Sequence, residues 1–163
     1  TRGAIWNVRA SVLMGDAERA WELSALLNPV HHGRTPEQIA RYKVEPYVVA
    51  ADVYGVEPHT GRGGWTWYTG SAGWMYRLVT ETLLGLSREG SQLRLTPRLP
   101  KAWPGLTLHY RHHRTQYHLV ISRHGEGAAT DAIEIVLDGQ RLEGATIPLS
   151  DDARDHTAEV KIP

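Results

Sequence analysis

Ser71-Ala72-Gly73-Trp74-Met75-Tyr76-Arg77-Leu78-Val79-Thr80-Glu81-Thr82-Leu83-Leu84-Gly85, followed shortly by Gln92-Leu93-Arg94-Leu95, is where the periodicity of this sequence changes. In the first stretch Ala72, Met75, Val79 and Leu83 recur at helical spacing, and Gly85 ends the pattern. From Leu93 onward apolar and polar residues alternate, through Leu93/Leu95, Leu106/Leu108/Tyr110, Tyr117/Leu119/Ile121, Ile133/Ile135/Leu137 and Ala158/Val160/Ile162. Helices first and strands afterwards predict an α+β protein with segregated layers. Asp138-Gly139 is a hairpin turn signal, and Pro97, Pro100 and Pro104 punctuate the link between the halves.

Upstream of that switch the signals are helical. Ala4 to Met14 reads as a helix with no cap before its apolar residues, so a fragment of a longer polypeptide is expected. Asp16 suits an N-cap for Ala17 to Leu27, with Ala20, Leu23 and Leu27 on one face and Asn28-Pro29 as the stop. Thr35-Pro36-Glu37-Gln38 combines a cap, a proline at the first helical position and a glutamine placed for a capping box. The run from Tyr47 to Tyr54 fits a buried strand or a buried helix equally well.

The chain has 163 residues, with 18 basic and 18 acidic side chains. This balance provides no field that would gather nucleic acid or anionic lipid, so neither is expected as a partner. No stretch is long and apolar enough to span a membrane, and the segment reads as soluble. The absence of cysteine excludes disulfides, thiolate catalysis and cysteine-bound zinc. Six Trp and seven Tyr stand against no Phe, so nearly every ring carries a polar group as well as a face for a sugar.

The densest candidate for chemistry is Gly61-Arg62-Gly63-Gly64-Trp65-Thr66-Trp67-Tyr68-Thr69-Gly70-Ser71, which leads into a helix. Free N–H groups and partial positive charge at such a start favour an anion, and Thr69 and Ser71 could add hydroxyl donors. The same residues also serve as ordinary helix caps, and the pattern alone leaves both readings open. The histidine pairs His31-His32 and His112-His113 lack the frame of a metal site. No nucleophile elbow occurs, so no serine hydrolase is expected. Glu45 and Asp52 are the carboxylates nearest the aromatic-rich segment, where a glycosidase would need two flanking the bond.

Asn28-Pro29-Val30-His31-His32, Tyr42-Lys43-Val44-Glu45-Pro46-Tyr47 with Ala51-Asp52, the Gly61 to Tyr76 segment and Leu95-Thr96-Pro97-Arg98-Leu99-Pro100-Lys101-Ala102-Trp103-Pro104-Gly105 together resemble one family. It comprises the inverting phosphorylases of cellobiose, chitobiose and β-1,2-oligoglucans with the related C-terminal domain of cyclic β-1,2-glucan synthases, and the last type is the most similar. The resemblance runs from Thr1 to about Ile121.

This resemblance implies that residues 1–88 are the closing helices of an (α/α)6 barrel and that residues 89–163 form a small antiparallel β domain. It implies inverting phosphorolysis of β-glucans, with inorganic phosphate as co-substrate and no cofactor or metal. The general acid is expected upstream of this chain, so no catalytic residue is assigned here. By position, Thr69, Gly70 and Ser71 correspond to the family's phosphate-binding motif, and Arg2 stands where the family usually has a phosphate-binding histidine. Glu45, Tyr47, Asp52, Arg62, Trp65 and Trp67 are the implied sugar-binding residues. Ala51-Asp52 departs from the Gln or Glu of the disaccharide phosphorylases. The implied partners are a β-glucan oligosaccharide, phosphate and the remainder of the parent polypeptide. The implied location is cytoplasmic, with any inner-membrane anchor belonging to the parent. A non-catalytic carbohydrate-binding module and a structural remnant are the rival readings.

Overall fold

The computed structural model describes residues 1–125, 130 and 132–163. The chain is an α+β protein whose helices lie in one compact unit, Thr1–Leu83, and whose strands lie in another, Leu84–Pro163.

In the first unit α1 (Arg2–Leu13) and α2 (Ala17–Leu27) form a helical hairpin, reversed at Gly15 with φ +86°. The Asp16 carboxylate accepts the Arg19 amide at 3.0 Å, as its N-cap position dictates. A 3₁₀ turn (Pro29–Gly33) leads to α3 (Pro36–Tyr42), where the Thr35 hydroxyl accepts the Gln38 amide at 3.3 Å. Gln38 Oε1 reaches back to the amide of Arg34 at 3.1 Å, one residue before the cap, so the capping box is offset by one position.

α4 (Thr69–Arg77) continues into a π-helical turn, Leu78–Leu83. This corrects the expected apolar stripe. The wider turn shifts the phase, so Leu78 and Leu83 are buried five residues apart while Val79 and Ala72 face outward. Ile5, Val8, Ala20, Leu78 and Leu83 form the core, with Leu23, Leu27, Trp74 and Met75 packed around it. Each large aliphatic side chain buried there contributes roughly 1.5–3 kcal/mol.

The second unit holds β1 (Leu86–Glu89), β2 (Gln92–Leu95), β3 (Gly105–His112), β4 (Thr115–Arg123), β5 (Glu134–Leu137), β6 (Gln140–Leu142), β7 (Thr146–Pro148) and β8 (Asp155–Ile162). β1, β2 and β7 make one sheet, and the order β3-β4-β8-β5-β6 makes the other. The strand region starts earlier than residue 89, because Leu86–Glu89, too short to show a period of its own, pairs with Gln92–Leu95. Nor is the larger sheet purely antiparallel. β4 and β8 run parallel, with Leu119 opposite Ala158 and Ile121 opposite Val160. The long connection through β5, β6 and β7 makes that possible.

Alternation predicted the buried face: Leu93, Leu95, Tyr117, Leu119, Ile121, Ile135, Ala158, Val160 and Ile162 all belong to one core. Asp138 and Gly139, with φ of +48° and +82°, make the two-residue turn between β5 and β6. Gly85 admits no side chain, since φ is +68° and a Cβ would lie 2.2 Å from the Thr96 backbone.

Candidate functional site

The segment from 47 to 54 is neither a regular strand nor a helix. Its end pairs with residues 61–65 as a short irregular ladder around an antiparallel bridge between Val53 and Gly63. Ala51 N donates to Trp65 O at 2.8 Å, Gly64 N to Asp52 O at 2.9 Å, and Tyr54 N to Arg62 O at 2.9 Å. Three glycines in the 61–64 stretch explain why no longer strand forms.

This ladder places Asp52 beside Trp65. The Asp52 Oδ1 accepts the Trp65 amide at 3.3 Å, and Gly64 lies directly over the carboxylate, where a Cβ would come within 2.4 Å of Oδ1. Glu45 and Tyr47 gather at Trp67. The Trp67 indole N–H donates to Glu45 Oε1 at 3.4 Å, and the Tyr47 ring stands 6.5 Å from the Trp67 ring at 69°. Trp67 has φ +60°, a left-handed backbone that a large side chain adopts at a cost of about 1–3 kcal/mol. The rings nevertheless remain open to solvent, with Tyr47 and Trp65 74% exposed and Trp67 68%.

Thr69 and Gly70 open α4 directly after this cluster. The N-cap is Tyr68, whose side chain makes no capping bond, so neither Thr69 nor Ser71 occupies the cap position. Ser71 N and Ala72 N reach the Tyr68 carbonyl at 3.1 and 3.2 Å, which leaves the Thr69 and Gly70 amides without an intrahelical partner. Thr69 and Gly70 are exposed, whereas Ser71 is only 2% exposed.

Arg2, the first residue of α1, is held against Trp74 of α4. Its guanidinium lies 5.1 Å from the Trp6 ring and 5.8 Å from the Trp74 ring. Arg9 and Arg77 each stand 5.5 Å from the same Trp74 ring, giving a cation-π cluster that the sequence reading missed. Its signal was available: Arg2, Trp6 and Arg9 repeat at i, i+4 and i+7 on α1. Arg62 is not joined to the Glu45, Tyr47 and Trp67 group. Its side chain lines a separate cavity with Arg41, Lys43 and His59. Among the described residues no group of three His, Asp or Glu could hold a metal ion. No helix there is long and apolar enough to cross a membrane.

An aromatic and carboxylate cluster feeding an uncapped helix start is an arrangement suited to a sugar beside an anion, and comparison with known proteins gives it a family. Residues 1–85 match the glycosyl hydrolase 94 superfamily, catalytic domain, and the chain belongs to that family of carbohydrate-active enzymes. Residues 86–143 match the glycosyl hydrolase family 65, C-terminal domain. The chain is 46% identical to the cyclic beta-(1,2)-glucan synthase NdvB of Rhizobium meliloti over 76% of its own length and 4% of that protein's. It is 30% identical to solabiose phosphorylase of Paenibacillus borealis over 71% of this chain and 15% of the relative. It is 26% identical to N,N'-diacetylchitobiose phosphorylase of Vibrio proteolyticus over 88% and 18% respectively. The chain thus spans between 4% and 19% of the length of the curated relatives it matches.

Proposed function

We propose that this chain supplies the phosphate side and part of the sugar platform of an inverting β-glucan phosphorolysis site, of the phosphorylase or cyclic β-1,2-glucan synthase type. Thr1–Leu83 would then be the closing helices of an (α/α)6 barrel whose remaining helices, with the general acid, come from elsewhere in the parent polypeptide. The observation that carries this reading is the start of α4, where the exposed Thr69 and Gly70 present unsatisfied amides immediately after the Glu45, Tyr47 and Trp67 cluster.

In such a site a phosphate oxygen attacks the anomeric carbon, the bond from that carbon to the leaving oxygen breaks, and the general acid protonates the leaving oxygen. Phosphate is already an anionic nucleophile, so no general base is needed. The amides at the helix start and the Thr69 hydroxyl hold the phosphate oxygens, and Arg2 adds positive charge from the adjoining turn. Tyr47, Trp65 and Trp67 offer faces to the sugar, and Glu45 and Asp52 accept from its hydroxyls.

The test is to measure dissociation constants of phosphate and of a β-1,2-glucan for Thr69→Val and Ser71→Ala in the full-length parent. Loss of a hydroxyl donor to a charged acceptor is expected to weaken phosphate binding on the order of tenfold to a hundredfold, with glucan affinity changed far less. The exposed Thr69 should show the larger effect. The exposure of Trp65 and Trp67 favours a second reading, a carbohydrate-binding module that uses no phosphate. Parent-like phosphate binding in both variants would leave that reading standing.

A further inference from the structure

We infer that the first unit carries a second anion-binding cavity, formed where the end of α3 meets the 58–62 loop and lined by Arg41, Lys43, His59, Thr60 and Arg62, that takes the phosphate group of a small phosphorylated or inorganic ligand. The cavity measures about 330 Å³ and includes none of Thr69, Gly70 or Ser71. Among the described residues two arginines and a lysine line it and no carboxylate does. Glu45 and Glu57, the acids nearest in sequence, are not among its lining residues. Among the described residues, Arg41, Lys43 and Arg62 are in no ion pair. Like charges held together without counter-charge raise the local potential, and an oxyanion relieves it.

The cavity is built from ordered backbone. His59 N donates to Val56 O, Arg62 N to His59 O, and Gly61 N to Tyr54 O, each at 2.9 Å, and Gly63 N ties the loop to Tyr42 O at 2.9 Å. Gly61, with φ +86°, leaves room for the Arg41 methylenes, where a Cβ would fall 2.8 Å from Cδ. Lys43 sits at φ +55° as the left-handed C-cap of α3. The loop therefore fixes the backbone from which the exposed Arg41 and Arg62 side chains line one cavity, and guanidinium forks match phosphate oxygens. The Thr60 hydroxyl and the His59 ring add polar contacts for a group attached to the phosphate, and the volume exceeds what one phosphate fills.

The experiment is an NMR titration of the uniformly ¹⁵N-labelled chain with inorganic phosphate and, separately, with glucose 1-phosphate, in buffer of about physiological ionic strength. The expected result is saturable shifting of the amides at 41–43 and 59–62, with Thr69→Val leaving those shifts unchanged. Arg62→Gln should weaken the response on the order of tenfold. Arg41→Lys, which keeps the methylenes against Gly61, should weaken it less and serves as the variant least able to disturb the loop. Tighter binding of the ester identifies a phosphorylated sugar as the source, and equal binding identifies free phosphate. Shifts at 41–43 and 59–62 that never saturate, or that saturate alike in the parent and both arginine variants, would overturn the inference. A response confined to 69–71 would overturn it while leaving the proposed function intact. A response confined to the cavity would sustain it and count against the helix-start site.

Discussion

Gly64 and Asp52 are locked to one another: the Gly64 amide donates to the Asp52 carbonyl at 2.9 Å, and a Cβ on Gly64 would stand 2.4 Å from the Asp52 Oδ1. Gly64→Ala must therefore push the carboxylate away from the Trp65 amide it accepts. The carboxylate is the exposed end of a side chain and can swing aside, so the expected cost is that of the lost hydrogen bond, about 0.5–1.5 kcal/mol of unfolding free energy. Because Asp52→Ala removes the obstacle, the double variant should cost less than the sum of the singles, a coupling that urea unfolding of all four proteins would measure. Strictly additive losses would show that the two residues do not share this contact.

How far this arrangement was legible depends on the kind of signal. Alternation in Tyr117/Leu119/Ile121 and Ala158/Val160/Ile162 identified the buried face of the larger sheet, because a period of two survives whatever strand lies alongside. It carried no information about direction, so the parallel pairing of β4 with β8 was out of reach. The caps at Asp16 and Thr35 were readable because they are local chemistry. The π turn after Arg77 was not, since residues 71–84 fit a regular helical stripe. Only the packing of Leu78 and Leu83 shows the extra residue in that turn. At the candidate site, Thr69 to Ser71 could be singled out by sequence, but the Glu45 to Trp67 bond and the left-handed Trp67 depend on contacts across 22 residues.

His156 should make the second unit lose stability as pH rises above about neutrality. Its Nδ1 meets Asp138 Oδ2 at 2.5 Å, its Nε2 meets Asp152 Oδ2 at 3.1 Å, and its ring stacks 5.1 Å from Tyr117. The hydrogen bond to Asp138 raises its pKa above the ordinary 6.5, against burial, with Asp152 adding to the rise. The same hydrogen bond, helped by the Thr157 amide, holds Asp138 below 3.8. A proton held more tightly in the folded state stabilises fully below 6.5, and that contribution disappears as pH climbs through the raised value. The Asp138 contribution is present above 3.8 and is lost as pH falls through its lowered value. The urea midpoint should therefore be lower at about pH 8 than at about pH 5.5, and His156→Gln should flatten that difference. An equal pH difference in the variant would place its origin elsewhere.

Arg123 should be irreplaceable by lysine. Its Nη2 donates to the carbonyls of Leu99 and Pro100 at 3.0 and 2.9 Å, its Nε to Trp103 O at 3.2 Å, and its Nη1 to Pro163 O. One planar fork thus gathers the proline-rich 96–104 connection and the last residue of the chain. A single ammonium cannot span these acceptors, so Arg123→Lys should lower stability by about 1–3 kcal/mol, nearly as much as Arg123→Met. A lysine variant with parent-like unfolding would mean that the charge alone matters.

The first unit should self-associate when this chain is produced by itself. Leu13 and Met14 are each 85% exposed at the end of α1, and Trp6, Arg9, Ala10, Leu13 and Trp74 line an open cavity of about 400 Å³. Leu26, Val30 and Ile39 are also largely exposed in the same unit. Apolar surface gathered in this way promotes association, because burying it against another copy removes it from water at about 25 cal/mol per Å². Replacing Leu13 and Met14 together with glutamine keeps helix propensity and touches no core residue, since the buried face of α1 is Ile5 and Val8. Sedimentation velocity across a concentration series should show the parent shifting to larger species and the double variant remaining a monomer. A parent that sediments as a monomer throughout the series would show that this apolar surface is too dispersed to drive association.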